Sequence, residues 1–245
     1  MVIMPKPEPK PRVAVLQSNY VPWKGYFDII HDVDTFIFYD DNQYTKNDWR
    51  NRNKIKSIQG VEWLSIAVGD QTHRQICEVE FKDAIWQDKH WRTLQHNYGK
   101  CAHFARYRSF FEEVYLGRRW THLSELNQFL IRHIAREFLS IGTEFQDSRS
   151  YSLNGVKADR LIDLLRQANT GVYLSGPAAK DYIDAQRFDE AGIELAWKDY
   201  AGYPSYPQRA PPFEHGVSVL DLLFNVGPDA PWYIWGWRTS PGGPG

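Results

Sequence analysis

RVAVLQSNYVPWKGYFDIIHDVDTFIFYDD, residues 12–41, holds two short apolar runs with an amphipathic segment between them. The runs at its two ends, 12–16 and 35–39, are rich in β-branched and aromatic side chains, which is typical of buried strands. After Pro22, a residue suited to the first turn of a helix, apolar side chains recur at helical spacing up to Ile30. Strand, loop, helix and strand in this order predict a βαβ unit.

The same order of elements returns in the last third of the chain. Residues 157–167 are a predicted amphipathic helix, followed by a strand at 171–174, a helix at 178–190 and a strand at 193–197. Between the two units, residues 86–140 are predicted to be helical because their apolar side chains lie three or four positions apart. We therefore predict an α/β fold, with a mostly parallel sheet and helices on both faces, Rossmann-like or HUP-like, and a helical block in the middle.

Shorter segments complete the expected secondary structure. Residues 42–56 have no clean periodicity and are predicted to be a long loop or a strand-flanking segment on the surface. Residues 61–68 are a predicted strand, and the alternation of apolar and polar side chains over 76–81 predicts a half-exposed one. Residues 200–213 are rich in Pro, Tyr and Gly and are predicted to be a loop, and 217–224 a closing helix.

Composition places the chain among ordinary globular proteins. Its 245 residues predict a flexible leader at 1–12, one domain at 13–238 with a helical segment at about 86–140, and a disordered tail at 239–245. The near balance of 29 Lys+Arg and 30 Asp+Glu argues against a protein that binds nucleic-acid duplexes. Two cysteines outside any CxxC pair argue against a disulfide scaffold. With no signal peptide and no membrane-length apolar run, we expect a cytoplasmic protein that does not bind membranes.

Three polar loops follow predicted strands, at residues 17–26, 40–54 and 175–180. Open parallel sheets bind their ligands at the carboxyl ends of the strands. We therefore expect these three loops to gather at one end of the sheet and to form the functional site.

The second of these loops, DDNQYTKNDWRNRNK, is the most highly charged. Its adjacent carboxylates, Asp40 and Asp41, have the chemistry to bind a divalent cation or to act as an acid or base. In an extended conformation Arg50, Arg52 and Lys54 would lie on one face, where they would grip a diphosphate. The alternative is a solvated loop that neutralises its own charges.

The first loop mixes amide groups with aromatic rings, at Gln17, Tyr20, Trp23 and Tyr26. Such side chains hydrogen-bond the polar edge and stack on the flat face of a sugar or a base. The alternative is a loop that caps the following helix and places its rings in the core.

The third loop contains Ser175 and Gly176 in a tight turn that opens a predicted helix, with Lys180 one turn in. Free backbone N–H groups and the helix dipole would favour an anion there, although an ordinary helix start is the alternative. The histidines show no metal-ligand spacing, and the P-loop, GxGxxG and GxSxG patterns are missing from the sequence. We predict no metal site from these residues.

With these loops in view, the chain resembles the WbqC-like family. The resemblance extends over about residues 13–228 and is carried by residues 16–28, 39–54, 173–176, 180–182 and 218–227. It implies a biosynthetic setting, in surface-polysaccharide or natural-product formation, and it supports the charged loop as a site. The substrate contacts that follow in this loop are Gln43, Tyr44, Asp48, Arg50, Asn51, Arg52 and Lys54.

A second similarity is to HUP-type nucleotidyltransferases, in the turn at residues 22–26 and in the Ser175–Gly176 turn. Lys24 and Tyr26 stand where that family has histidines. The similarity therefore implies a fold more than it implies nucleotidyl transfer.

We expect a transferase that acts on a nucleotide-activated amino sugar or a similar small polar substrate, by acyl or aminoacyl transfer to an amine. Asp40 or Asp41 would be the base and Lys180 would bind a second anionic group. One alternative is a ligase or nucleotidyltransferase that uses ATP with Mg²⁺, the only cofactors in question. The other is a non-catalytic binding module of such a pathway.

Overall fold

The computed structural model describes residues 10–181, 183–240 and 242–244. Its strands are β1 (Arg12–Leu16), β2 (Thr35–Phe38), β3 (Arg52–Ser57), β4 (Gly60–Ser65), β5 (Glu144–Asp147), β6 (Val172–Ser175) and β7 (Glu194–Trp197). Its α-helices are α1 (Lys24–His31), α2 (Ile85–Tyr98), α3 (Phe104–Glu112), α4 (Leu123–His133), α5 (Ala158–Gln167), α6 (Ala185–Glu190), α7 (Val219–Val226) and α8 (Ala230–Ile234). Five-residue π-helical turns continue α3 and α4, at Glu113–Gly117 and Ile134–Phe138.

The chain divides into two compact units. The first contains the described residues up to Leu16, Ile29–Tyr39 and Gly142–Asp199. The second contains Gln17–Asp28, Asp40–Ile141 and the described residues from Tyr200 onward. The chain therefore leaves the first unit directly after β1 and again after β2.

The first unit is built on a parallel five-stranded sheet with the order β5-β2-β1-β6-β7. Counted along the chain within this sheet, the order is that of the first five strands of a Rossmann fold. The order reverses between β1 and β6, so the ends of these strands, Leu16 and Ser175, mark the position where such sheets bind ligands. The α/β class and the parallel sheet predicted from the sequence are confirmed.

The core of the first unit lies against this sheet. Val13, Val15 and Ile37 of β1 and β2 share one cluster with Leu165 of α5 and Phe188 of α6. Burial of such side chains stabilises a fold by about 1.5–3 kcal/mol each. The apolar stripe of the amphipathic helix predicted over residues 157–167 therefore packs against the sheet.

Two elements of the first unit differ from the prediction. Strand β5 was not predicted, because its sequence EFQD is short and half polar; Phe145 places it by stacking on Phe38, with 5.7 Å between ring centroids. The single helix predicted over 178–190 is wrong, since a 3₁₀ turn at Pro177–Asp181 precedes the short helix α6. Asp184 starts α6 anew by accepting a hydrogen bond from the Gln186 amide.

The second unit combines the antiparallel β3–β4 hairpin with α2, α3, α4, α7 and α8. The helical block predicted over 86–140 is confirmed by α2, α3 and α4. Aromatic rings join these helices: Phe224 of α7 lies 5.1 Å from Tyr98 of α2 and 5.1 Å from Phe104 of α3, between centroids. Backbone hydrogen bonds join the hairpin to this block, such as the one that the Ser218 amide donates to the Lys54 carbonyl at 2.8 Å.

Two predicted segments of the second unit are corrected. The half-exposed strand predicted over 76–81 is wrong: residues Ile76–Glu78 form a 3₁₀ turn whose start is held by a Gln75 and Glu78 capping box. The loop predicted over 42–56 ends early, because β3 begins at Arg52 and pairs with β4.

The predicted leader at 1–12, single domain at 13–238 and tail at 239–245 stay predictions, and residues 1–9, 241 and 245 lie outside the described residues. Among the described residues, no helix combines the length and the apolar composition that a membrane span requires.

Candidate functional site

Asp40 anchors the polar loops of the second unit. Its side chain has no solvent exposure, and Oδ1 accepts a hydrogen bond from the Ser18 amide at 2.7 Å. Its Oδ2 accepts from Ser124 Oγ at 2.5 Å and from Gln128 Nε2 at 3.0 Å. The carboxylate therefore ties the first loop to α4, and both of its oxygens are occupied by donors.

Asp41, the neighbouring carboxylate, is partly exposed. The pair predicted from the sequence is thus divided into one buried carboxylate and one that borders solvent. A base must reach the proton that it removes, within about 2.6–3.2 Å. Of the two, Asp41 has the exposure for direct contact with a substrate, whereas Asp40 has the contacts of a residue that positions the loop.

Arg50 joins the first and second loops. Its Nη1 donates to Asn19 Oδ1 at 2.6 Å, and its Nη2 donates to Gln17 Oε1. Asp48 lies 3.6 Å from the same guanidinium, and Asn127 Nδ2 donates to the Arg50 carbonyl at 2.8 Å. Arg50 Nε is buried without a hydrogen-bond partner in the described structure, as are Ser18 Oγ and Asn127 Oδ1 on the adjacent elements.

The Asp48 carboxylate is held ionised by its surroundings. Burial raises the pKa of Asp48, but Arg50 and hydrogen bonds from Thr45 Oγ1 and the Trp49 amide lower it, so the net pKa lies below the ordinary value. The loop therefore keeps one anion beside Arg50 at neutral pH.

Arg52 and Lys54 form a separate surface with two tryptophans, which we name the tryptophan–cation platform (Trp49, Arg52, Lys54 and Trp63). The Arg52 guanidinium lies 4.4 Å from the Trp63 ring centroid. The Lys54 ammonium lies 5.4 Å from Trp63 and 5.9 Å from Trp49. The two indoles are 5.5 Å apart and are 41% and 45% exposed. Large rings are seldom left this exposed together, so the platform is a candidate ligand surface.

The register of the hairpin explains this arrangement. In β3 and β4, Lys54 pairs with Trp63 and Arg52 pairs with Ser65, so the cations and Trp63 share one face. Arg50 precedes the strand and points to Gln17 and Asn19 instead. The structure thus brings together two of the three cations that the sequence places in one row.

Tyr20 is a core residue of this unit. It is fully buried, and its hydroxyl contacts His90 Nδ1 at 2.9 Å and the Tyr115 hydroxyl at 2.6 Å. His90 Nε2 faces the Ser65 carbonyl at 3.2 Å and must donate to it, so Nδ1 accepts from Tyr20. Burial lowers the pKa of His90 to about 4, so this imidazole is neutral at pH 7.

The neutral His90 makes stability depend on pH. The unfolded chain binds this proton near pH 6.5 and the folded protein near pH 4. The contribution of the neutral His90 to stability is therefore fully present above pH 6.5 and is lost as the pH falls toward 4. We expect this group alone to remove about 2–3 kcal/mol between pH 7 and pH 4.5. Urea unfolding at the two pH values tests this, with His90→Phe as the comparison. Equal losses in wild type and variant would contradict the assignment.

Trp23 and Tyr26 lie at the start of α1. The Trp23 ring meets Tyr200 and Tyr203 at 5.2 Å and 6.1 Å between centroids, and the Tyr26 hydroxyl donates to the Gln17 carbonyl at 2.9 Å. Trp23 is partly buried, whereas Tyr26 is buried. Their rings therefore fix the first loop rather than extend into solvent.

The position of Trp23 depends on the absence of a side chain at Gly25. A Cβ at this position would lie 2.3–2.6 Å from three atoms of the Trp23 ring, which its aromatic neighbours hold in place. We expect Gly25→Ala to lower the free energy of unfolding by about 1–3 kcal/mol through overpacking.

One control variant and one second background make this prediction specific. Gly142→Ala, where a Cβ meets no atom within 4 Å, should change stability by less than about 0.5 kcal/mol in the same denaturant experiment. In a Trp23→Leu background Gly25→Ala should cost much less, since the clashing ring is gone. The same cost in both backgrounds would show that Trp23 is not the cause.

The remaining predicted contacts of the charged loop are dispersed. Tyr44 is buried and donates to Asn51 Oδ1 at 3.0 Å, and Asn51 Nδ2 donates to the Ile66 carbonyl at 2.8 Å. Gln43 is exposed and donates to the Thr72 carbonyl at 3.3 Å. Tyr44 and Asn51 therefore brace the loop from within.

Ser175, Gly176 and Lys180 belong to the first unit. Ser175 is buried at the end of β6, and its carbonyl accepts from the Lys198 amide at 2.8 Å. Lys180 is exposed, with its ammonium 5.6 Å from the Trp197 ring centroid. Because the turn opens a five-residue 3₁₀ segment instead of an α-helix, it lacks the long helix dipole on which the anion argument was based.

Several residues of the site were not predicted from the sequence. Trp63 joins the platform through strand pairing, and Ser124 and Gln128 complete the contacts of Asp40. One signal was available: Ser124 and Gln128 are polar residues four positions apart on the buried side of α4. A polar pair inside an apolar stripe indicates a buried hydrogen-bond partner.

The sequence pattern of the WbqC-like protein family matches residues 17–233 of this chain. The chain is 46% identical over 225 residues to the uncharacterized protein Rv1507c of Mycobacterium tuberculosis (strain ATCC 25618 / H37Rv), which covers 91% of this chain and 97% of that protein. No solved structure matches the chain. Because the pattern covers most of the chain, including the loops 17–26 and 40–54, the hairpin and the helical block, the chain belongs to the WbqC-like protein family.

Proposed function

We propose that this protein is a biosynthetic transferase that acylates, or aminoacylates, the amine of a nucleotide-activated amino sugar. The observation that supports this most is the tryptophan–cation platform. It offers two partly exposed indoles beside two basic side chains, and a nucleotide sugar offers flat rings beside a diphosphate. Stacking on an aromatic side chain is worth about 1–3 kcal/mol per base.

Each part of the platform has a role in this proposal. The Arg52 guanidinium binds phosphate oxygens in a bidentate manner, and Lys54 adds a point charge. Trp49 and Trp63 stack on the base or the sugar. Both cations stand on one face of a paired strand, so they are held at a fixed spacing before the substrate arrives.

The neighbouring loops complete the proposed site. Arg50 donates to the side-chain oxygens of Gln17 and Asn19, so these two amide groups are held in position before the substrate binds. Asp41, on the exposed side of the Asp40 anchor, attracts the ammonium of the acceptor sugar. Asp40 holds the loop from which Asp41 extends. The assignment of Lys180 to a second anionic group stays a prediction.

A transfer assay tests the proposal. The purified protein is incubated with nucleotide-diphosphate amino sugars and a panel of acyl and aminoacyl donors, with and without EDTA. Mass spectrometry then detects the mass increase of the acylated sugar. We expect product that persists in EDTA, because transfer from an activated donor needs no metal.

Two other outcomes would replace the proposal. Product that forms only with ATP and Mg²⁺ and is abolished by EDTA would identify a ligase or nucleotidyltransferase. No product and no thermal stabilisation by any nucleotide sugar would identify a binding module.

A further inference from the structure

Lys24, at the first position of α1, has an unusual environment. The residue is 2% exposed, and its ammonium is enclosed by the rings of Tyr203, Tyr206 and Phe213, at 4.8, 5.3 and 5.9 Å from their centroids. Its one hydrogen-bond acceptor among the described residues is the Pro204 carbonyl, at 3.5 Å. An ammonium has three donors, so this group is short of acceptors.

Two other buried lysines show what a structural ammonium looks like in this protein. Lys56 donates to the Pro212 carbonyl at 2.6 Å, and Lys198 donates to an Asp32 carboxylate at 2.5 Å. Both are as buried as Lys24. Within the described structure, Lys24 and Lys56 thus have one acceptor each, and the hydrogen bond of Lys24, at 3.5 Å, is the longest of the three.

Charged and titratable groups face Lys24 from three elements. Asp28 lies on the same helix, Asp221 lies on α7, and Tyr203, Tyr206 and His215 lie on the irregular segment 200–217. Burial lowers the pKa of Lys24, and Asp221 and Asp28 raise it, with a net value of about 8. At pH 7.5 about a quarter of such amines are uncharged, against about 0.1% for an ordinary lysine.

Both carboxylates are already engaged by other groups. Asp221 accepts from Tyr98 at 3.0 Å and from Tyr206 at 2.7 Å, and Asp28 accepts from Tyr203 at 2.5 Å and forms an ion pair with Arg238. Neither carboxylate makes a hydrogen bond to the Lys24 ammonium in the described structure. The amine can thus lose its proton without leaving a carboxylate unpaired.

Lys24 is covered by side chains of the irregular segment 200–217. Phe213 is partly exposed, and its ring packs on the exposed His215 ring, 4.6 Å away between centroids. Residues 200–217 contain no helix or strand among their described positions, and irregular segments of this length are usually functional. One of the three rings around the amine, that of Phe213, therefore borders solvent.

We propose that Lys24 is a further catalytic residue, an amine that takes a proton from the substrate when segment 200–217 opens over it. This role rests on the transfer proposed above and replaces a carboxylate base by an amine better matched to an ammonium acid. The acceptor ammonium gives one proton to Lys24, which becomes an ammonium. The freed lone pair forms the new bond to the acyl carbon, and the leaving group departs with the bond electrons and the second proton.

The position of Lys24 within the second unit fits this role. Trp23, its neighbour, forms a bridge with Ser218, and the Ser218 amide donates to the Lys54 carbonyl at 2.8 Å. The backbone next to Lys24 and the backbone of the tryptophan–cation platform are therefore linked through Ser218.

Competitive labelling of the native protein tests the proposal without any substrate. A trace of acetic anhydride is added between pH 6.5 and pH 10, and mass spectrometry measures the acetylation of each lysine. Lys56 and Lys198 are the matched controls, because they are equally buried but well bonded. We expect Lys24 to be labelled more than tenfold faster than both at pH 8, with a midpoint near pH 8.

Labelling of Lys24 no faster than that of the two controls, or with a midpoint near that of an ordinary lysine, would overturn the proposal. A second arm uses the transfer assay, where Lys24→Met should lower kcat/KM at least 100-fold and Lys198→Met, in the first unit, less than fivefold. Fast labelling of Lys24 with no turnover of any substrate pair would remove the proposed function and leave the reactive amine established. Slow labelling with normal turnover would do the reverse.

Discussion

Asp40→Ala is expected to lower the free energy of unfolding by about 3–5 kcal/mol, because hydrogen bonds to a buried charged group are worth roughly 1.5–3 kcal/mol each. The substitution removes the Asp40 acceptor from three buried donors: the Ser18 backbone amide, the Ser124 hydroxyl and the Gln128 side-chain amide. None of them is exposed enough to regain a full bond to water. Urea unfolding followed by circular dichroism measures the loss.

The neighbouring residue supplies the control. Asp41→Ala removes the same charge from a partly exposed position and should cost less than about 1 kcal/mol. The cost of Asp40→Asn should fall between the other two costs. The Asn side chain keeps one oxygen acceptor, but its NH₂ group would face the Ser124 and Gln128 donors. If Asp40→Ala and Asp41→Ala were equally mild, Asp40 would not be the anchor described.

The double variant Arg52→Ala/Lys54→Ala is expected to weaken binding of a nucleotide-diphosphate amino sugar about 100-fold. Two partly exposed charge-assisted contacts to phosphate together contribute about 3 kcal/mol, and each 1.4 kcal/mol is a factor of ten. The wild-type affinity should also fall as salt is added, whereas that of the variant should change little. Calorimetric titration at two salt concentrations measures both effects.

Lys46→Ala is the matched control for this prediction. Lys46 is an exposed cation of the same loop, outside the tryptophan–cation platform. Its removal should change the affinity less than twofold, while Trp63→Leu should weaken binding and keep the salt dependence. Equal effects of Lys46, Arg52 and Lys54 would point to the general charge of the loop.

The fold was largely predictable because most strands of its parallel sheet have a recognisable sequence pattern. The runs that became β1, β2, β6 and β7 are apolar and β-branched or aromatic, and each occurs beside a helical pattern. Strand β5 could not be found this way. Phe145 is the one apolar residue among its four residues, and the strand begins and ends with the charged Glu144 and Asp147. Its identity depends on the ring of Phe38, more than a hundred positions away along the chain.

The charged residues of the candidate site could be listed from the sequence, but their three-dimensional arrangement could not. An unusually charged loop identified Asp40, Arg50, Arg52 and Lys54, but their partners come from elsewhere in the chain. The sequence placed three cations in one row because it assumed an extended loop, whereas the strand begins only at Arg52. Local patterns carry no information about where a strand pairing starts.

Lys24 shows the limit most clearly. In the sequence it is a lysine at a helix start, a position usually exposed to solvent. It is buried by a segment about 180 positions later, with the Pro204 carbonyl and three rings around the amine. Neither residue periodicity nor local charge predicts such a contact.

The central claim is that the second unit binds a nucleotide-activated amino sugar, and one thermal and chemical unfolding experiment tests it most directly. The protein is unfolded with and without nucleotide-diphosphate amino sugars, the free diphosphate and the free amino sugar. A ligand at 100 times its dissociation constant adds about 2.7 kcal/mol of stability. The account predicts stabilisation by the complete nucleotide sugar that exceeds that of either fragment and is lost in Arg52→Ala/Lys54→Ala. Stability unchanged by every nucleotide sugar, or raised equally in wild type and variant, would contradict it.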